Sequence, residues 1–393
     1  MGCGGASDAT PLGEVPLPAP RVAPEPLPLA AASSSTTVPR SSSAPVPPLV
    51  PAPRGTVAQI VANGEVTCAR FSDGEVRCWG NNQFNVISNE FARLGETGVP
   101  KPRVVRDLPP AVEIALGSAY ACARLADGTL RCWGMDDGDL GLGTPLPPGP
   151  PPHTERPMPV LGLSDVVSLS ARNHVCAVSS DRSVRCWADY DRGNGDPRDA
   201  GSRSPVVVSG FAGALQISDG GNLSCARFLA HVKCWRDISP GRIPKGSVRE
   251  SPYFVAVKNA ASIAAGDSGA CAVTAIGGVT CWGQVPLNYG ENSFGTTPRP
   301  VPGFHDVVSL SLGGELGCAV VKSGEVVCSR ASDANHVPTK VEGVTNAVEV
   351  AVGGSHACAR TADGRLLCWG ENGMGQLGDG TTKDRDVPRP VVW

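Results

Sequence analysis

The sequence predicts an all-β protein: a seven-bladed β-propeller of four-stranded antiparallel blades over residues 55–393, behind a disordered Pro/Ala/Ser tether over residues 1–54. Three observations carry that prediction. Short apolar runs bounded by Gly, Pro, Asp and Ser recur along the chain, and no long stretch has helical periodicity. Fourteen of the 15 cysteines form seven pairs, six of them ten residues apart and one nine apart. A proline-flanked apolar piece closes one unit after another.

The 393 residues suffice for one large or two ordinary domains, and the net charge of -3 gives no excess of positive charge for nucleic acid or an anionic membrane. No run of apolar residues is long enough for a transmembrane helix. The stretch "PLGEVPLPAPRVAPEPLPLAAASSSTTVPRSSSAPVPPLVPAPR" is almost free of aromatic residues. It cannot bury enough apolar surface to offset its ordering entropy, which predicts a semi-extended tether. Before it stands "MGCGGAS", which resembles the start of a bacterial lipoprotein with Cys3 as the lipidated residue, although no hydrophobic stretch precedes it. A myristoylation signal would want Ser or Thr where Ala6 stands. The alternatives are an unmodified flexible end and a truncated start.

The pairs are Cys68/Cys78, Cys122/Cys132, Cys176/Cys186, Cys225/Cys234, Cys271/Cys281, Cys318/Cys328 and Cys358/Cys368. Consecutive first cysteines lie 54, 54, 49, 46, 47 and 40 residues apart, a period that means a propeller or solenoid. Each unit opens on an alternating segment such as "AVEIALG" (Ala111–Gly117) or "VVSLSLG" (Val307–Gly313). Period two predicts a strand, and the small residues suit a crowded inner strand near an axis. A Cys-turn-Cys hairpin supplies the next two strands, and a Gly-rich loop of variable length follows. The last piece carries Pro102, Pro205, Pro300 or Pro390; proline cannot donate to a ladder, which places this fourth strand at an exposed edge.

The hairpin explains the cysteines. In "CARTADGRLLC" the midpoint is Asp363, so a three-residue loop Ala362-Asp363-Gly364 sets Thr361 opposite Arg365. Such loops want a left-handed third residue, hence Gly74, Gly128, Gly277, Gly324 and Gly364 at that position. Arg182 stands there in the third unit and predicts strain or a different turn; the nine-spaced unit, with "RFLAHV", needs an even-numbered loop. Counting outward, each Cys pair falls at a non-hydrogen-bonded position, where α-carbons approach to about 4.5 Å and a disulfide can close. Each disulfide would contribute on the order of 2–3 kcal/mol. The bland alternative is seven pairs of reduced, buried thiols. No Cys-x2-Cys or Cys/His spacing points to zinc or to thioredoxin-like redox chemistry. Seven disulfides predict an oxidising, extracytoplasmic address: outer membrane, cell surface or medium.

Tryptophan follows the second cysteine as Trp79, Trp133, Trp187, Trp235, Trp282 and Trp369, and Ser329 replaces it in the sixth unit. Each should point opposite to its Cys and fill a gap between blades, in preference to forming a ligand cage. "DYDRGNGD" (Asp189–Asp196) has oxygen ligands, but Gly193 and Asn194 are reversed from the calcium-loop order and Ala200 stands at the twelfth position. "DDGD" (Asp136–Asp139) is no better. His174 and His356 share one repeat position with Tyr120, which predicts a structural role in the turn. No nucleophile elbow, phosphate loop or dinucleotide fingerprint occurs. No catalytic residue, metal site or cofactor is expected.

At "GGSHACARTADGRLLCWGENGMGQLGDGTTKDRDVPRPVV" (Gly353–Val392) the sequence resembles the repeat of the regulator of chromosome condensation family. The other units keep the hairpin, and their tails depart from the pattern, as in "MDDGDLGLGT" and "GENSFGTT". The resemblance implies a seven-bladed propeller. The eukaryotic namesake exchanges guanine nucleotide on a small GTPase and binds chromatin; a secreted bacterial β-lactamase inhibitor protein of the same fold uses one propeller face to bind an enzyme. The leading expectation is a monomeric, secreted or surface-tethered bacterial scaffold, non-enzymatic, binding a protein or surface glycan through loops on one face. It would bind no nucleic acid and meet the membrane only through a lipid anchor. The insertions at Asn81–Pro100, Met135–Pro159 and Tyr190–Pro205 are the expected contact loops. The alternatives are a polysaccharide hydrolase or lyase with carboxylates at the axial mouth, and nucleotide exchange.

Overall fold

Alternating inner strands, tight hairpins and proline-marked edges assemble as expected. The computed structural model describes residues 55–87, 97–138, 140–143, 151–154, 156–187, 203–236, 252–287, 295–332 and 338–393. The tether and Cys3 lie outside the described residues, as do Asp139, the 189–196 loop and most of the third insertion. Among the described residues all regular structure is β, in seven four-stranded sheets. No helix there is long and apolar enough to cross a membrane.

Each blade is one continuous piece of chain, with its strands hydrogen-bonded in sequence order from the axis outward. Blade 1 consists of β1 (Val57–Asn63), β2 (Val66–Phe71), β3 (Val76–Asn81) and β4 (Gly98–Val104). Blades 2 to 6 follow over residues 111–159, 166–207, 216–255, 260–300 and 307–340. Blade 7 ends the chain with β25 (Ala347–Val352), β26 (His356–Thr361), β27 (Leu366–Gly370) and β28 (Arg385–Pro390). β28 completes the last blade by itself, so the ring closes by packing blade 7 on blade 1 without exchanging a strand.

The turn arithmetic holds in detail. Thr361 N–H donates to Arg365 O at 3.0 Å and Gly364 N–H to Thr361 O at 2.9 Å, with Gly364 at φ +81°. Arg182 keeps the same turn and takes the left-handed conformation itself, at φ +65°; the local strain is borne, and the turn type does not change. In blade 4, Phe228 pairs with His231 around the two-residue loop Leu229-Ala230.

These turns set every cysteine directly opposite a partner on the neighbouring strand of its own blade. Cys68 faces Cys78 in blade 1, Cys122 faces Cys132 in blade 2, and Cys176 faces Cys186 in blade 3. Cys225 faces Cys234 in blade 4, the nine-spaced pair, and Cys271 faces Cys281 in blade 5. Cys318 faces Cys328 in blade 6, and Cys358 faces Cys368 in blade 7. In all seven the sulfurs are joined and the α-carbons stand 4.0–4.1 Å apart, closer than the usual ~4.5 Å of such a pair.

Seven apolar clusters hold the ring, one per blade interface. Strand alternation sends each Cys pair toward the next blade and each Trp toward the preceding one. Cys68 and Cys78 pack with Trp133 of blade 2, Cys122 and Cys132 with Trp187 of blade 3, and Cys176 and Cys186 with Trp235 of blade 4. Cys225 and Cys234 meet Trp282 of blade 5, Cys318 and Cys328 meet Trp369 of blade 7, and Cys358 and Cys368 meet Trp79 of blade 1. Only Cys271 and Cys281 lack a tryptophan, because blade 6 has Ser329 there; Leu287 and Phe304 fill that cluster instead. A Cβ on Gly317 would sit 2.6 Å from the Leu287 side chain, which shows how tightly Leu287 occupies the gap.

The architecture gives the propeller two unlike ends. The tight β2–β3 hairpins of all blades and the starts of the inner strands share one end: Ser72 N–H donates to Thr56 O and Ala111 N–H to Gly74 O, both at 2.9 Å. This end is the hairpin face. The inner-strand turns and the long β3–β4 connections share the other, the loop face.

Candidate functional site

The third residue of an inner strand is polar in most blades, and it reaches sideways to the next blade. Gln59 brackets Ile114 with two 2.9 Å bonds, accepting from its N–H and donating to its C=O. Gln216 does the same to Ile263 at 3.1 and 3.2 Å. Glu113 accepts from Leu169 N–H at 3.2 Å, Ser309 from Val350 N–H at 3.4 Å, and Glu349 from the Ile60 backbone. These side chains stand in for the sheet pairing that the inner edges lack.

An arginine stands across the hairpin from four of them, eleven residues on. Arg124 Nε lies 2.7 Å from Glu113, and Arg360 Nε 2.7 Å from Glu349. Arg70 and Arg227 face the amides Gln59 and Gln216 at 3.5 and 3.4 Å, and neither forms an ion pair among the described residues. Burial pushes the Glu349 carboxyl up, against the pull of Arg360. Burial likewise holds the Arg70 and Arg227 guanidiniums below the usual range; for Arg70 the nearby Glu349 and Glu113 pull the other way, more than Arg360 and Arg124 repel, and for Arg227 the charge of Arg182 adds to the effect. The belt thus sets Arg70, Arg124 and Arg360 with Glu113 and Glu349 on one side of the axis, and Arg227 near Arg182 on the other.

The inner strand bulges near its start in six blades, and in five of them the bulged residue is exposed. Four of the bulged residues are valines: Val112, Val167, Val308 and Val348 are 37–52% exposed, and Ala58 and Ala261 complete the set. The hairpin face thus carries an apolar ring around its axial mouth, with the arginines beside it.

The axis itself is a channel of about 350 Å³ lined by the inner strands of all seven blades. Its wall is mostly Ala, Val, Ile, Leu and Ser. Gln59, Gln216 and Glu349 mark the hairpin end and Arg172 the loop end. Arg172 reaches from blade 3 to Asp267 of blade 5 at 3.0 Å and Leu312 O of blade 6 at 3.1 Å, a strut across that mouth.

The remaining expected residues have structural places. The fourteen hairpin cysteines are buried between blades, from Cys78, Cys132 and Cys234 at 0% exposure to Cys328 at 6%, and bring no thiol to either face. Tyr120, His174 and His356 close their inner-strand turns by accepting from Gly117, Arg172 and Gly353 N–H, and their side chains lie buried between blades. His174 Nδ1 lies 3.4 Å from Asp219 of blade 4, and His356 Nε2 lies 2.7 Å from Thr67 Oγ1 of blade 1. Some described residues of the first two insertions are drawn into the blade interfaces. Val86 and Ile87 fill the gap between blades 1 and 2, where Val86 O accepts from Trp133 Nε1 at 2.7 Å, and Leu140 is fully buried between blades 2 and 3. Among the described residues no group of three His, Cys, Asp or Glu side chains could hold a metal ion. Sequence reasoning passed over the arginine belt, although its signal, Gln or Glu followed by Arg eleven residues later, occurs four times.

Comparison with known proteins fits this geometry. The sequence profile described as the regulator of chromosome condensation (RCC1) repeat matches residues 57–85, 347–376 and 363–393. The mitochondrial RCC1 domain-containing protein RUG3 of Arabidopsis thaliana is 26% identical over 294 residues, 67% of this chain and 64% of that protein. The E3 ubiquitin-protein ligase HERC2 of Homo sapiens is 28% identical over 156 residues, 37% of this chain and 3% of the ligase. The chain thus spans less than two thirds of the length of either relative. Human WBSCR16 shares the fold with a TM-score of 0.61 and 21% identity, covering 75% of this chain and 85% of that one. Saccharomyces cerevisiae Prp20p, with binding properties toward Gsp1p and histones, has a TM-score of 0.67 and 18% identity over 86% of this chain and 87% of its own. With matches in both the first and last blades and the same hairpin in every blade between them, the chain carries RCC1-like repeats in a seven-bladed propeller.

Proposed function

We propose that this propeller is a non-enzymatic, extracytoplasmic binding scaffold that docks another protein on its hairpin face. The observation that carries the reading is the ring of outward-pointing bulge valines around the axial mouth. Four apolar side chains exposed at equivalent places on a rigid ring form an organised patch, unlike the scattered apolar residues of an ordinary surface. The same face offers little to a hydrolase. Glu113 and Glu349 each accept from a backbone amide and an arginine, so neither is poised as an acid or base. Seven cysteine pairs within joining distance favour the extracytoplasmic address. The hairpin face is preferred to the insertions because its exposed valines recur at equivalent blade positions, whereas much of the three insertions lies outside the described residues.

Site-specific photo-crosslinking in the native cells tests this. A photoreactive residue at Val112 or Val308 should give a discrete protein adduct, and one at exposed Val207 on an outer strand should not. Absence of adducts from the hairpin face, or equal adducts from Val207, overturns the assignment. Mass mapping of non-reduced peptides from the same cells tests the address; free thiols throughout would refute it.

A further inference from the structure

We infer that the partner of the hairpin face is an acidic protein segment, one that sets an Asp or Glu carboxylate against the arginine belt while apolar neighbours cover the valine ring. This deepens the docking reading above and rests on it.

The argument is one of charge and desolvation. On each inner strand the residue at the bulge position is the chain neighbour of the clamp residue. Exposed Val112 precedes Glu113, Val308 precedes Ser309 and Val348 precedes Glu349, and half-buried Ala58 and Leu215 precede Gln59 and Gln216. Any surface covering the valines therefore also covers the guanidiniums behind the clamps. Covering an unneutralised charge is costly unless an opposite charge arrives with hydrogen-bonding geometry. Around blades 7, 1 and 2 there are three guanidiniums and two carboxylates, and both carboxylates already have an arginine of their own. Across the axis Arg227 and Arg182 have no carboxylate partner in the belt. A partner without a carboxylate at this point would bury Arg227 with only an amide and a backbone oxygen as acceptors. A partner carboxylate would meet Arg70 or Arg227, whose present acceptors are amide and backbone oxygens at 3.2–3.5 Å, and would exchange long neutral bonds for charge-assisted ones. The hairpin loops of the same face also carry Asp73, Asp127, Asp181 and Asp363, so the site for a carboxylate is local to Arg70 and Arg227.

The test pans a random twelve-residue peptide library on phage against the full oxidised chain. Selected peptides are then made in solution and measured by fluorescence anisotropy. The expected winners carry Asp or Glu beside apolar residues. Changing that acid to its amide should weaken binding at least tenfold, as should Arg70→Gln with Arg227→Gln, and Arg70→Lys should restore part of it. Raising the salt should weaken the acidic peptides and leave the amide versions unchanged. Val112→Asp with Val348→Asp should abolish binding. Peptides lost on the valine variant yet indifferent to the arginine pair would sink the acidic partner and leave the docking face standing. Peptides indifferent to both variants would sink the docking face as well. Far-UV circular dichroism and melting of each variant guard against unfolding, and a destabilised arginine pair is replaced by the single Arg227→Gln variant, for which the same loss is required.

Discussion

Acidifying the protein from pH 7 to pH 4 sets the closure of the ring against the chemistry of one imidazole. His356 is fully buried where blade 7 meets blade 1. Thr67 Oγ1 donates to Gln376 O at 2.9 Å, so its oxygen accepts from His356 Nε2–H. Nδ1 is therefore unprotonated, and it has no partner. A second proton would be placed at that buried, unpartnered nitrogen, and burial lowers the pKa from 6.5 to about 4. The unfolded chain binds the proton below pH 6.5 and the folded chain only below about pH 4. Stability therefore falls as the pH drops through that window, and is fully present above it. At 1.36 kcal/mol per pKa unit the loss is about 3 kcal/mol. Guanidinium unfolding without reductant at several pH values measures it. His356→Leu, which puts in blade 7 what Leu316 and Leu223 place in blades 6 and 4, removes the titrating group while Thr67 keeps its bond to Gln376. The wild type should lose about 3 kcal/mol more than the variant between pH 7 and pH 4. Parallel stability curves would refute the account of His356 as the acid-sensitive point of closure.

Three further outcomes follow from the interfaces and turns. Trp79→Ala should cost about 3–5 kcal/mol, since it empties the blade 7–blade 1 gap and removes one of the two donors to the Gln376 carbonyl, which Trp79 Nε1 reaches at 2.9 Å; denaturant midpoints at constant slope will show it. Ser329→Ala should be neutral or stabilising by about 1 kcal/mol, because the hydroxyl it removes is buried without a partner; a clear drop in midpoint would contradict this. Arg182→Gly should raise stability by up to about 1 kcal/mol, the relief of a left-handed arginine outweighing the added freedom of the unfolded chain; a lower melting temperature would mean that the Arg182 side chain stabilises the fold through its contacts.

Much of the fold was legible because it is local. The loop length between Thr361 and Arg365 fixes strand register, and register alone sets Cys358 opposite Cys368 and sends Trp369 to the other face. The same rule acts on the two-residue loop of blade 4, where nine-residue spacing still brings Cys225 opposite Cys234. Seven repetitions of that local rule, with a proline-marked edge strand after most of them, determined blade number, strand order and the fate of the tryptophans. The histidines do stand at the inner-strand turns, but their side-chain contacts across the blade interface were not legible, because the partners Asp219 and Thr67 lie 45 and 289 residues away. Sequence likewise shows that the first two insertions are long, but not that Val86, Ile87 and Leu140 turn inward.

By itself, then, the sequence determined everything set by the two-residue period of a strand and the length of a turn, since these act within a dozen residues. Only the tertiary structure decided what happens when seven such blades share an axis. Closing the circle puts bulge residues some fifty positions apart side by side as one apolar ring and gathers the arginines behind it. No local rule couples those positions, and their nearness exists only in the closed ring.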